Sequence, residues 1–224
     1  MNPLHPLQQD PTSLRLTEIF HSLQGESASV GRPTVFVRLT GCPLRCGYCD
    51  TTYSFHGGER QSQAEVLTEV ASHGARHVCV TGGEPLAQPA CLPLLEALCD
   101  AGYEVSLETS GALDISQVDR RVSVVMDLKT PGSGEQARNL WSNIDHLLPQ
   151  HQVKFVLCDR ADYDWAKVQL EKFCLHEKVR EVLFSPVWEQ LPAQELADWI
   201  LADRLPVRFQ LQLHKLLWQD ARGK

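Results

Sequence analysis

The sequence predicts an α/β fold built around a mostly parallel sheet, and two observations lead to it. From Arg32 onward, six apolar runs rich in β-branched residues alternate with segments of helical period. Polar, glycine-rich stretches close those runs, where open α/β sheets and barrels both carry their binding loops.

The runs are "PTVFVRLTG", "HVCVTGG", "YEVSLETSG", "VSVVMDLK", "QVKFVLCD" and "EVLFSPV". Their unbroken apolarity suits strands covered on both faces. Between the first two, Ser62 and Glu65 compose a capping box that opens the helix "SQAEVLTEVASHG", and Gly74 supplies its left-handed end. The segment "PACLPLLEALCDAG" runs from Pro89 to Gly102, the proline-first, glycine-last asymmetry of a helix joining two strands. A later helix, "AQELADWILAD", follows Pro192. Six strands in this order suit a doubly wound sheet or an incomplete barrel, and periodicity does not choose between them. In either case the loops "TGC", "TGGEP", "ETSG" and "DLKTPGSG" share one face.

A length of 224 residues suits a single domain over 1–224. Residues 1–16 read as a loose leader: "MNPLHPLQQDPTS" contains Pro3, Pro6 and Pro11 and lacks the basic and apolar regions of a signal peptide. No apolar run reaches the length of a membrane span. The net charge of -7, with no cluster of Lys and Arg, argues against a nucleic-acid partner. Eight cysteines without export signals point to a reducing, cytoplasmic setting, where neighbouring thiols bind metal or do chemistry. Cys79, Cys91, Cys99, Cys158 and Cys174 sit in apolar contexts and read as small buried hydrophobes.

Cys42, Cys46 and Cys49 differ, because "TGCPLRCGYCDTTY" crowds them into a C-x3-C-x2-C pattern. A closed zinc site needs a fourth ligand, which His56 could supply in a non-catalytic binding module. A four-iron cluster normally takes four cysteines, so three leave one iron open to an outside ligand. With Tyr48 before the third cysteine, and with "TGGEP" at residues 81–85, the pattern resembles the radical S-adenosylmethionine (SAM) enzymes. That resemblance implies a [4Fe-4S] cluster on the three cysteines and SAM on the open iron. Gly82 and Gly83 would let backbone approach a ligand, and Glu84 offers a carboxylate to an ammonium, with a plain turn as the other reading.

A wider set of stretches, "EIFHSLQGES", "CDTTY", "TGGEP", "ETSG", "KFV" at 154–156 and "LQLHKLLW", resembles the 7-carboxy-7-deazaguanine synthases from about Thr17 to Trp218. The resemblance implies an incomplete parallel (β/α)6 TIM-like barrel with trimmed helices, a homodimer, and an electron donor such as flavodoxin. It implies ring contraction of 6-carboxy-5,6,7,8-tetrahydropterin with loss of ammonia, SAM being regenerated. Leu23, Gln24, Gly25, Arg38 and Thr81 are then expected at the substrate, with the fork of Arg38, if it points inward, on the carboxylate. Tyr48, Cys49, Asp50, Gly83, Glu84, Ser110, Lys129, Gln152 and Lys154 are expected at SAM, and Thr51 at a Mg2+ ion shared with the substrate. Ser27 stands where that family has glycine, which implies a local loop difference. No protein side chain is demanded as acid or base, though Glu26, His56 or water could move the proton that ammonia loss requires. His214 and Lys215 fit the family ending without an assigned role. A glycyl-radical activating enzyme, which would dock a large protein, shares the three-cysteine pattern.

Overall fold

In the computed structural model, which describes residues 13–219 and 221–224, the elements follow in the order β1 (Ser13–Leu23), β2 (Pro33–Leu39), β3 (Glu59–Ser62), α1 (Gln63–Ser72), β4 (His77–Gly82), α2 (Cys91–Asp100), β5 (Glu104–Thr109), β6 (Ser123–Asp127), β7 (Gln152–Leu157), α3 (Arg160–Lys172), α4 (Leu175–Lys178), β8 (Glu181–Pro186), α5 (Ala193–Asp203), β9 (Arg208–Phe209) and α6 (Leu213–Trp218). They build one nine-stranded sheet in the order β3-β1-β2-β4-β5-β6-β7-β8-β9. The strands from β2 to β9 run parallel, whereas β1 and β3 run antiparallel at one edge. The ends do not pair, so the barrel is incomplete, as the sequence predicts. All six predicted runs are neighbouring parallel strands in their sequence order.

The core lies between the sheet and its helices. Val78, Val80, Leu107, Val124, Val153 and Phe155 are wholly buried from the strands, and Val66, Val70, Leu94, Leu95 and Leu98 meet them from α1 and α2. The capping box is present: the Ser62 side chain accepts from the Glu65 N–H, and the Glu65 carboxylate accepts from the Ser62 N–H at 2.7 Å. Gly74 and Gly102 turn the chain out of α1 and α2 at φ +66° and +87°. Among the described residues no helix is long and apolar enough to cross a membrane.

Several expectations change. Residues 1–12 of the expected leader lie outside the described residues, but Ser13–Leu16 belong to β1, and Leu14 and Leu16 are buried. Strand β1 carries a bulge between Leu16 and Glu18. Before it, Leu14 and Leu16 join the helix-side core; after it, Glu18 and Phe20 lie opposite Arg38 and Phe36 on the other face. One extra residue has exchanged inside for outside. The thirteen-residue α3 is absent from the sequence reading because its inner face is partly polar, burying Asp162 and Gln169 beside Tyr163, Ala166 and Leu170. Cys174 is exposed and Cys99 half-buried, whereas Cys79, Cys91 and Cys158 are buried.

The buried carboxylate of Asp162 fixes the loop after β6. It accepts from Thr130 Oγ1 at 2.9 Å, from Gly132 N at 2.8 Å and from Cys158 N at 2.9 Å. Asp162→Ala strands the Gly132 and Cys158 N–H donors, while Thr130 Oγ1 keeps Val156 O at 3.1 Å, and should cost about 3 kcal/mol of stability, read as a lower denaturant midpoint with an unchanged slope.

Candidate active site

The loops at the carboxyl ends of the parallel strands surround a cavity of about 660 Å³. One wall is the long loop after β2, from which Cys42, Cys46 and Cys49 all line the cavity. That loop is held by backbone: Glu84 N donates to Gly41 O at 2.8 Å, Gly83 N to Leu39 O at 3.1 Å, and Gly47 N to Ser133 O at 3.0 Å. A Cβ on Gly83 would run into the Gly41 carbonyl and Cys42 Cβ. The glycine of "TGGEP" is therefore required by the thiol loop itself, whereas the sequence reading assigns it to a ligand.

Burial raises all three thiols, Cys46 to about 11, and the nearby Lys129 charge pulls each of them the other way. Among the described residues no three Cys, His, Asp or Glu side chains lie close enough to hold a single ion. His56 is exposed and lies outside the cavity lining. Three soft sulfur donors along one wall, each within the field of a buried cation, fit a thiolate-held iron–sulfur cluster.

The floor alternates in charge. Lys129 Nζ lies 3.0 Å from Asp127 Oδ2, and Lys154 Nζ lies 3.6 Å from the same oxygen and 2.5 Å from Glu26 Oε2. Gln212 Nε2 donates to Glu26 Oε1 at 2.7 Å. Burial alone would raise the Glu26 carboxyl, but the charge and hydrogen bond of Lys154 outweigh it and hold it at about 2. Burial would likewise lower Lys154, and the charges of Glu26 and Asp127 push it up instead. Among the described residues, Asp127 Oδ1 and the Tyr48 hydroxyl are buried without a hydrogen-bond partner.

The opposite wall is polar and aromatic. Gln24 Nε2 and Thr81 Oγ1 donate to the two oxygens of Glu108 at 3.2 and 3.0 Å. Phe20 and Phe36 stack with ring centroids 4.9 Å apart, and Arg38 points inward to the cavity. A Cβ on Gly25 would strike the His214 ring, so glycine lets the start of α6 close over the loop after β1. Thr51 lines the cavity and donates to Asp50 Oδ1 at 2.7 Å, while Asp50 Oδ2 lies 3.6 Å from Lys215 Nζ.

Of the residues predicted from sequence, Leu23, Gln24, Gly25, Arg38, Tyr48, Cys49, Asp50, Thr51, Thr81, Gly83, Ser110, Lys129 and Lys154 all line this cavity. Two do not. Glu84 is 0% exposed, and its carboxylate is spent on Leu86 N, Thr109 Oγ1 and both the N–H and hydroxyl of Ser110. It ties the β4 turn to the end of β5 and has no oxygen left for a ligand's ammonium. Gln152 is buried, and its Oε1 accepts from Ala28 N at 2.6 Å, which fixes the loop after β1. Glu108, which opens "ETSG", Asp127, which opens "DLKTPGSG", and Gln212 of "LQLHKLLW" also line the cavity, although the sequence assigns none of them a role.

Ser27 adopts φ +66° while buried, with Gln210 bracketing its backbone: Ser27 N donates to Gln210 Oε1 at 2.7 Å, and Gln210 Nε2 donates to Ser27 O at 3.0 Å. This is a conformation that glycine adopts freely and serine does not.

Residues 36–129 match the Radical SAM superfamily. A 7-carboxy-7-deazaguanine synthase of Chlorobaculum tepidum is 45% identical over 214 residues, covering 94% of this chain and 97% of the relative. One of Koribacter versatilis is 41% identical over 219 residues, covering 92% and 97%. Among solved structures, QueE from Escherichia coli matches with a TM-score of 0.70 at 25% identity, covering 90% of this chain and 95% of that one.

Two outcomes follow from this geometry. Ser27→Gly should leave stability unchanged or raise it by up to about 1 kcal/mol, the left-handed penalty relieved less the entropy glycine adds; a lower melting temperature would mean the 2.8 Å Ser27–Ser29 hydroxyl contact dominates. Because the Glu26 pKa is depressed from 4.5 to about 2, its contribution is complete above 4.5 and is lost as pH falls toward 2. The melting temperatures of the parent and of Glu26→Gln should therefore differ near neutral pH and converge across that acid window.

Proposed function

This chain belongs to the 7-carboxy-7-deazaguanine synthase family of the Radical SAM superfamily, and we propose that its cavity takes 6-carboxy-5,6,7,8-tetrahydropterin and contracts the ring to 7-carboxy-7-deazaguanine with loss of ammonia. The protein is an enzyme that works with a [4Fe-4S] cluster and SAM. The observation that carries the substrate reading is one cavity with thiols on one wall, buried lysines on its floor and a Gln24–Glu108–Thr81 hydrogen-bonding wall opposite. The activating-enzyme and zinc-module readings are not favoured, since relatives covering nearly the whole chain are synthases.

In this reading Cys42, Cys46 and Cys49 hold three irons. When bound, the cluster and SAM together supply a 5'-deoxyadenosyl radical for hydrogen abstraction. Everything else falls to positioning. Lys129 and Lys154 offer cations to the carboxylate of SAM, and the unpartnered Asp127 Oδ1 offers an acceptor beside them. Gly83, Tyr48, Asp50 and Ser110 complete that side of the cavity. Gln24, Glu108 and Thr81 meet the aminopyrimidinone edge, where donors and acceptors alternate. Arg38 takes the substrate carboxylate through its fork, and Thr51 with Asp50 alongside supplies oxygen to Mg2+, a hard cation that accepts few protein ligands. Glu26, held near 2 by Lys154, is a weak base and serves to fix that lysine. A flavodoxin-type electron donor, a cytoplasmic setting and a homodimer that covers the open sheet edges belong to the same reading.

The test is anaerobic reconstitution followed by incubation with SAM, reductant and the carboxypterin. Formation of 7-carboxy-7-deazaguanine without net loss of SAM is expected; SAM cleavage with no deazapurine would overturn the substrate assignment. Cys46→Ala should lose both the cluster's visible absorption and all turnover. Thr51→Ala should keep the absorption but lose stimulation by Mg2+, and an unaltered Mg2+ response would remove Thr51 from the metal.

A further inference from the structure

Glu18 of "EIFHSLQGES" and Tyr53 of "CDTTY" stand outside every contact assigned to substrate or cofactor, yet both converge on Arg38. Arg38 Nε donates to Glu18 Oε1 at 2.7 Å, and the Tyr53 hydroxyl donates to the same oxygen at 2.8 Å. The guanidinium carbon lies 5.6 Å from the Phe20 ring centroid and 5.9 Å from that of Tyr53. The side chains of Arg38 and Glu18 are only 16% and 21% exposed. Arginine has five N–H donors, and a clamp on Nε leaves the terminal edge of the fork for another carboxylate.

This arrangement depends on the bulge in β1. With strict two-residue alternation from Leu14 and Leu16, Glu18 would fall on the helix-side core. The extra residue instead places it directly across the ladder from Arg38, with Phe20 across from Phe36. Tyr53 arrives from the other direction, four residues after Cys49 on the thiol loop.

We infer that Glu18 and Tyr53 are positioning residues that hold the Arg38 fork in register for the substrate carboxylate, and that Tyr53 links that register to the loop carrying the cysteines. The inference rests on the reading of Arg38 as the carboxylate ligand. An arginine without the clamp would have to be ordered at each binding event, a cost that lowers affinity for a carboxylated ligand and leaves an uncarboxylated one unaffected. Charge alone predicts the opposite, because removing the Glu18 carboxylate would relieve repulsion of an incoming anion.

The experiment measures binding of 6-carboxypterin and of pterin lacking the carboxyl group to the reconstituted holoenzyme with SAM, by pterin fluorescence. Glu18→Ala and Tyr53→Phe should each weaken 6-carboxypterin about 5- to 10-fold and leave pterin unchanged. Glu18→Gln, which keeps an acceptor for Arg38 Nε, should retain most of the preference. Arg38→Met should abolish it. If Arg38→Met still prefers the carboxylated ligand, the reading of Arg38 fails. If Arg38→Met loses the preference while Glu18→Ala and Tyr53→Phe keep it, the clamp is wrong. Equal weakening of both ligands by Glu18→Ala and Tyr53→Phe, or tighter 6-carboxypterin binding in Glu18→Ala, would also overturn it.

Discussion

The backbone contact between the turn after β4 and the start of the thiol loop governs this structure. Two N–H groups of that turn, from Gly83 and Glu84, are received by carbonyls at the end of β2 and at Gly41. The approach is so close that no side chain fits at Gly83. Glu84 then turns inward and takes the donors of Thr109 and Ser110, so a third strand end joins the same assembly. Three loops that would otherwise be independent share one rigid frame. Cysteines on a free loop would have no fixed place in the cavity; on this frame the three thiols keep set positions relative to its other walls.

The second organising element is electrostatic. Buried charges are costly unless opposed, and the floor alternates sign from Glu26 through Lys154 and Asp127 to Lys129. The loop after β1 contributes Glu26, so that loop is bound into one network with β7 and the end of β6. Gln152, Gln210 and Gln212 extend it by hydrogen bonds to that loop. Neutral amides at the margin and charges at the centre satisfy the backbone without adding net charge to an already acidic chain.

The six central strands are legible in sequence because burial on both faces removes alternation and leaves continuous apolar runs. β1 and β3 are not, since β1 changes parity at its bulge and β3 has the residues "ERQS", with no apolar face to read. α3 escapes because Asp162 and Gln169 face inward, where a helical pattern expects apolar residues. Site residues inside local motifs are legible because short spacing fixes their neighbourhood. Glu84 and Gln152 show the limit: a motif names a residue, but only tertiary packing decides which way its side chain turns. Glu108, Asp127 and Gln212 all stand inside recognisable stretches, but their partners lie far away in the chain, as Gln212 reaches Glu26 across 186 positions, so no local spacing shows what they do.

The bulge in β1 also bears on how such a strand can change over time. Its first half sends Leu14 and Leu16 to the helices, and its second half sends Phe20 to the cavity and Glu18 to Arg38. Single replacements alter only the contacts of one side chain. Loss or gain of one codon near Thr17 would instead rotate every later side chain of the strand to the wrong surface, so reading-frame-preserving insertions and deletions are the changes this stretch can least absorb.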